Sequence, residues 1–114
     1  DTRNIKIATT GDTVLVNADT ASSVMLVINE LLSNSLEHGF RTKKSGNINI
    51  RISNEEVFAI FTITDDGDGF QQKTNFESLG LNIVKAIVKD KLNGKIRIHS
   101  SKSGTVTEFS IKIK

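Results

Sequence analysis

Apolar and polar positions change period several times along this chain, and each change predicts an element. In RNIKIATTGDTVLVNAD, residues 3–19, two short alternating apolar runs flank Gly11-Asp12, which predicts a strand, a turn and a second strand. From Thr20, a candidate N-cap, the spacing becomes helical. Val24, Val27, Ile28, Leu31, Leu32 and Ser35 fall on one side, and Gly39 offers a stop. After the polar loop RTKKSG, NINIRIS alternates with period two, and VFAIFTIT is a more continuous apolar run that predicts a strand buried on both faces. DDGDGFQQKTNFES is polar and glycine-containing and reads as a loop. SLGLNIVKAIVKDKL is helical again, with Leu81, Val84, Ile87 and Val88 inward, Ser78 as cap and Asn93-Gly94 as its end. KIRIHSS and TVTEFSIKIK close the chain as a hairpin around KSG.

The predicted order is two strands, helix, two strands, loop, helix, two strands. It gives an α+β fold, a two-layer sandwich with helices on one face of a mixed, mostly antiparallel sheet. With 114 residues the chain suffices for one domain, residues 1–114, and is too short for two. Its opening, DTRNIKIATTGD, reads as a domain excised from something longer. A formal net charge of +2 gives no argument for nucleic acid or for direct membrane contact, and Arg41, Lys43 and Lys44 read as a solvated loop. Without cysteine there is neither a disulfide framework nor a thiolate metal site. The apolar runs are far shorter than a membrane span, and no signal peptide opens the chain.

Four stretches can carry chemistry. Four residues advance a helix by about 400°, so Glu30, Asn34 and His38 drift by only about 40° per step and share a face. An asparagine oxygen is a hard neutral ligand that suits Mg²⁺, which takes few protein ligands where phosphates supply the rest. A carboxylate one turn earlier can accept a proton near those phosphates. By itself, the stripe is better explained as a polar helix edge facing solvent.

DDGDGF admits three readings. A calcium loop on Asp66, Asp68 and Glu77 fails, because Phe70 takes the third ligand position and Gln71 replaces the glycine of the sharp turn. An Asp-Gly hairpin finds a poor return strand in QQKTNFES. In a nucleotide loop, Asp65 at a strand end accepts from the exocyclic amino group of a base. Gly67 and Gly69 then let the backbone lie close to the ring, and the carboxylate selects adenine over guanine. SLGL offers free backbone N–H groups at Leu79, Gly80 and Leu81 to phosphate, although alone it is better explained as a Ser-capped helix with one glycine. SGT, residues 103–105, is by itself a hairpin turn, and His99 reads as a surface strand position.

The four stretches occur in a fixed order, each at the element end that its role requires. NELLSNSLEH, DDGDG, SLGLNIV and SGTVTEFSIKI together resemble the N box, the two glycine boxes and the closing glycine-threonine strand of one family. It is the ATP-binding catalytic domain of sensor histidine kinases, of the Bergerat fold shared with the gyrase B subunit and MutL. The similarity covers nearly the whole chain. It implies that Asn34 binds Mg²⁺, that Asp65 meets the adenine amino group, that Gly67 and Gly69 shape the adenine pocket and that Phe70 starts the lid. Ser78, Leu79, Gly80 and Leu81 would meet the phosphates. Gly104 and Thr105 would lie beside the nucleotide, Thr105 supporting Asp65 and a bridging water. Glu30 matches the glutamate that polarises the attacking water in the ATPases of the superfamily, and His38 falls beside the nucleotide.

The sequence also departs from that pattern. Glu37 stands where many kinases carry Lys or Arg, leaving Lys73 or Arg41 as substitutes for the missing phosphate cation. Ser78 replaces the first glycine of the second box, and the eight residues Phe70 to Glu77 make a short lid. Neither His38 nor His99 has the context of a phosphoacceptor. The resemblance therefore implies a cytoplasmic domain that delivers the γ-phosphoryl group of Mg-ATP to a histidine on a separate dimerisation domain, with a response regulator downstream. Two alternatives share the site: an anti-sigma-factor-type serine kinase, and a non-catalytic ATP-binding scaffold.

Overall fold

The computed structural model describes residues 1–71 and 74–114. Its elements are β1 (Asn4–Gly11), α1 (Ala18–Asn34) extended by a π-helical turn over Ser35–Gly39, β2 (Ser45–Glu55), β3 (Phe58–Asp65), α2 (Asn82–Ala86) extended by a π-helical turn over Ile87–Lys91, β4 (Ile96–Ser101) and β5 (Gly104–Lys112). They build one sheet in the order β1-β2-β3-β5-β4. β1 runs parallel to β2 and every other pairing is antiparallel, so the sheet is mixed and mostly antiparallel, as expected.

One face of the sheet makes the core. Ile48, Ile50, Ala59, Phe61, Ile63, Phe109 and Ile111 are buried there with Val24, Val27, Ile28 and Leu31 of α1 and with Val84 and Val88 from α2 and its extension. Phe61 and Phe109, opposite each other in the ladder, stack with centroids 4.9 Å apart. The expected burial of β3 on both faces does not occur. Ala59, Phe61, Ile63 and Asp65 are buried, whereas Phe58 is 38% exposed and Ile60 and Thr62 are half-buried. A central strand thus reads as nearly continuous apolar because its outer face is screened by neighbouring strands, with no second layer over it.

The second predicted strand is also absent. Gly11 ends β1 with φ at +99°, where a Cβ would collide with the Ile52 carbonyl oxygen, and Asp12 N–H donates to that carbonyl at 2.7 Å. The chain leaves the sheet there. Val14 and Val16 pack against the core while Leu15 is 95% exposed, so alternation survives in an extended crossover without a ladder. A parallel β1–β2 pair requires such a crossover. α1 is capped by Asn17, whose Oδ1 accepts from Thr20 N–H at 2.9 Å, and not by Thr20. No helix among the described residues is long and apolar enough to cross a membrane.

Candidate functional site

β3, β5 and β4 end side by side at one edge of the sheet. Register sets Asp65 opposite Thr105, and Thr105 opposite Ser100. Asp65 is 4% exposed. Its Oδ1 accepts from Gly67 N–H at 3.0 Å and Thr105 N–H at 3.2 Å, while Oδ2 accepts nothing from the described residues. Oδ2 lies beside Gly39, where a Cβ would stand 3.2 Å from it. Thr105 therefore supports Asp65 through its backbone, and its hydroxyl pairs with Ser100 Oγ at 2.8 Å.

Gly67 and Gly69 are required by protein backbone rather than only by a ring. A Cβ at Gly67 would strike the Gly39 carbonyl, and one at Gly69, with φ at +79°, would strike the Ser101 carbonyl. Gly104, with φ at +133°, would likewise strike the Asp65 carbonyl. The π turn at the end of α1, wider than an α turn, ends at Gly39 against this loop, and the Gly39 carbonyl accepts from Asp68 N–H at 2.6 Å.

The other two carboxylates of the loop hold it down. Asp66 accepts from Asn47 N–H at 2.7 Å and Asn47 Nδ2 at 2.9 Å, and these bonds, the side-chain one foremost, hold its carboxyl below the usual carboxylate range. Asp68 accepts from the Thr42 N–H and hydroxyl, both at 2.7 Å, with the same effect. Lys43 Nζ donates to the Asp66 carbonyl at 2.7 Å, so the RTKK segment clamps the loop instead of being only a solvated run. Arg41 is engaged too: its Nη2 donates to the Gly69 carbonyl at 2.8 Å and its Nε to the His38 carbonyl at 3.3 Å. Lys73, the other substitute cation, lies outside the described residues.

On α1 the stripe divides. Asn34 is buried and its Nδ2 donates to the Glu30 carbonyl at 2.9 Å. Asn34 Oδ1 is the one buried side-chain polar atom without a hydrogen-bond partner among the described residues. Glu30 is half-buried. His38, also half-buried, meets the Phe70 ring edge-on with centroids 6.4 Å apart, and its Nε2 lies 3.8 Å from Glu37 Oε2.

The second glycine box differs from expectation. Regular helix begins at Asn82, and Ser78 caps no helix. Ser78 Oγ accepts from Asn75 N–H at 2.9 Å and Asn75 Oδ1 accepts from Ser78 N–H at 2.8 Å, a reciprocal clasp around one tight turn. The amides of Leu79, Gly80 and Leu81 donate to the carbonyls of Asn75, Glu77 and Phe76 at 3.0, 3.0 and 2.8 Å. They are thus not free, as the sequence suggested. Leu79 and Leu81 bury their side chains in the core. Gly80, with φ at +71°, has open space where a Cβ would sit.

The structure thus gathers Asp65, Gly67, Gly69, Phe70, Gly104, Thr105 and His38 around one sheet end, and strings Glu30 and Asn34 along α1. Ser78 to Leu81 form a separate turn. Sequence reasoning missed Ser100, Thr42 and Asn47, and it took Gly39 only as a helix stop. The one signal for the loop contacts was that three carboxylates within DDGDG need donors.

A backbone-held carboxylate thus sits at the end of the central strand, among glycines and below a helix whose last residue carries an amide oxygen with no partner among the described residues. Residues 19–114 match the family of histidine kinase-, DNA gyrase B- and HSP90-like ATPases, and the chain belongs to that family. It is similar to the sensor histidine kinase PdtaS of Mycobacterium tuberculosis, with 32% identity over 104 residues that make up 88% of this chain and 21% of that protein. The chain therefore spans about a fifth of that relative's length. Among solved structures it is similar to the histidine kinase domain of the Erythrobacter litoralis EL346 blue-light-activated kinase, with a TM-score of 0.84 and 29% identity, covering 95% of this chain and 51% of that one. It shares the fold of histidine kinase ThkA, solved in complex with the response regulator TrrA, with a TM-score of 0.74 and 24% identity over 96% of this chain and 34% of that one.

Proposed function

We propose that this domain binds Mg-ATP within a longer cytoplasmic sensor kinase and presents the γ-phosphoryl group to a histidine on an adjoining helical dimerisation domain. The observation that carries the reading is Asp65: one oxygen is held by two backbone amides, and the other, beside Gly39, accepts nothing from the described residues. Such a carboxylate accepts from an amino group and repels a carbonyl, so it favours adenine over guanine. His38 and Phe70 would flank the base, and the amides of Gly67 and Thr105 brace the carboxylate.

Asn34 Oδ1 passes the test for a magnesium ligand. It is a hard neutral oxygen, buried and without a partner among the described residues, one turn along the stripe from Glu30. Asn34 would hold the magnesium ion, whose chemistry there would be to neutralise charge on the phosphates. Glu30 would accept a hydrogen bond from the incoming nucleophile. Gly80 leaves the phosphates room to approach, while the amides of Leu79 to Leu81 must exchange their present carbonyl partners to reach them. A histidine acceptor and a response regulator partner are favoured over a serine acceptor because the similar proteins are sensor histidine kinases. The loops that hold Asp65 argue against a degenerate scaffold.

A thermal-shift titration with Mg-ATP, Mg-GTP and EDTA tests this on wild type and on Asp65→Asn. ATP at a hundred times its Kd stabilises by about 2.7 kcal/mol, a rise of roughly 10 °C for a domain of this size. The rise is expected with ATP, not with GTP, and is lost in Asp65→Asn. No rise with any nucleotide in folded protein overturns the reading.

A further inference from the structure

We propose that Ser100, on the edge strand β4, is a positioning residue that couples the first residue of the lid to the base-reading carboxylate; the proposal rests on the nucleotide reading above. Ser100 Oγ accepts from Phe70 N–H at 2.7 Å and lies 2.8 Å from Thr105 Oγ1. Thr105 N–H in turn donates to Asp65 Oδ1 at 3.2 Å. One hydroxyl therefore joins the start of the lid to the strand that braces Asp65. A serine oxygen can accept from an amide while its single proton is shared with a second hydroxyl, so both bonds are satisfied together.

The same peptide group is gripped from its other end. The Gly69 carbonyl accepts from Arg41 Nη2 at 2.8 Å, and the amide across that peptide bond is the one held by Ser100. With carbonyl and amide both engaged, the Gly69–Phe70 peptide plane has a defined orientation, which sets the direction of the Phe70 side chain toward His38. Phe70 is half-buried against the core, and a cavity of about 440 Å³ lined by Phe70, Phe76, Leu79, Ile98 and Ser100 lies beside it. The hydroxyl is the polar tether at the floor of that cavity. The backbone pairing of Ser100 with Thr105 does not depend on it. Removing the hydroxyl thus frees Phe70 without opening the sheet.

The test compares wild type, Ser100→Ala and Ser100→Thr, which keeps the hydroxyl. It measures calorimetric Kd for Mg-ATP and for magnesium tripolyphosphate, the melting temperature, and hydrogen exchange at the Phe70 amide. Loss of one such bond at the base pocket weakens ATP binding about fivefold to tenfold in Ser100→Ala. Tripolyphosphate affinity stays unchanged, Phe70 exchange accelerates about tenfold in the absence of ligand, and Ser100→Thr restores all readouts. Equal ATP affinity in wild type and Ser100→Ala overturns the proposal, as does a parallel loss of ATP and tripolyphosphate binding, which marks a merely structural role. Wild type that binds no ATP overturns the nucleotide reading itself and the role assigned to Ser100 with it, whereas the exchange measurement reports separately on the tether.

Discussion

The two glycine-containing loops, residues 65–69 and 75–81, are built in opposite ways. In residues 65–69 every carboxylate is held by donors from another element, and both glycines press against neighbouring backbone. In residues 75–81 the hydrogen bonds are local, Ser78 and Asn75 clasp each other, and Gly80 faces open space. Asn34 belongs with the second kind, because its buried oxygen has no partner among the described residues. A pocket that reads a rigid base gains from preorganisation, since little ordering is left to do on binding. The half proposed for phosphate and metal keeps unsatisfied or exchangeable groups, which a ligand completes.

The largest expected effect separates the two glycines directly. Gly69 and Gly80 have nearly the same φ, +79° and +71°, but only Gly69 has a carbonyl oxygen where a Cβ would sit. Gly80→Ala meets backbone strain alone, about 1–2 kcal/mol. Gly69→Ala adds a collision with Ser101 and is expected to cost about 4 kcal/mol, at the diagnostic end of single substitutions. Thermal melts of the two variants should differ by roughly 10 °C. Equal losses would break the contrast between a packed loop and an open one.

A change of opposite sign comes next. Asn34→Leu removes the buried amide oxygen that has no partner among the described residues, at the cost of the Nδ2 bond to the Glu30 carbonyl that the helix backbone does not need, so the ligand-free domain should gain about 1 kcal/mol and melt roughly 4 °C higher. The same variant should lose magnesium-dependent nucleotide binding, a trade of function against stability. A variant that is less stable than wild type would show that Asn34 is held by contacts of its own.

The smallest effect concerns acid. Asp66 and Asp68 have carboxyls lowered by hydrogen bonds from Asn47 and Thr42. The unfolded chain then takes up protons first, so what these groups contribute is present in full above the unfolded value of about 3.9 and is lost as pH falls through their folded values. The melting temperature should be flat near neutral pH and drop below about pH 4. The double variant Asp66→Asn, Asp68→Asn should start lower and drop less. Asp66 is exposed and Asp68 only half-buried, so solvent screening keeps the effect small. An unchanged acid limb in the double variant would show that the clamp adds nothing to stability.

Much of this was legible before folding was considered. Period-two and helical spacing located α1, β2, β3 and the β4–β5 hairpin, because burial of one face imposes those periods. The motif order located Asp65, Gly104 and Thr105, since a strand end and a hairpin turn are local features. Local spacing misjudged TVLV, where alternation came from packing without a ladder. It misjudged SLGL as well, where Asn75 outside the motif closed the turn.

Sequence by itself determined which residue types stand at which element ends, because side-chain period and turn chemistry act over a few neighbours. Only the tertiary structure decided which donors satisfy DDGDG, that Asn34 Oδ1 finds none among the described residues, and that Ser100 meets Phe70 across 30 residues of chain. Those depend on strand register and on the π turn at Gly39, and both are settled by packing between distant segments rather than by any local preference.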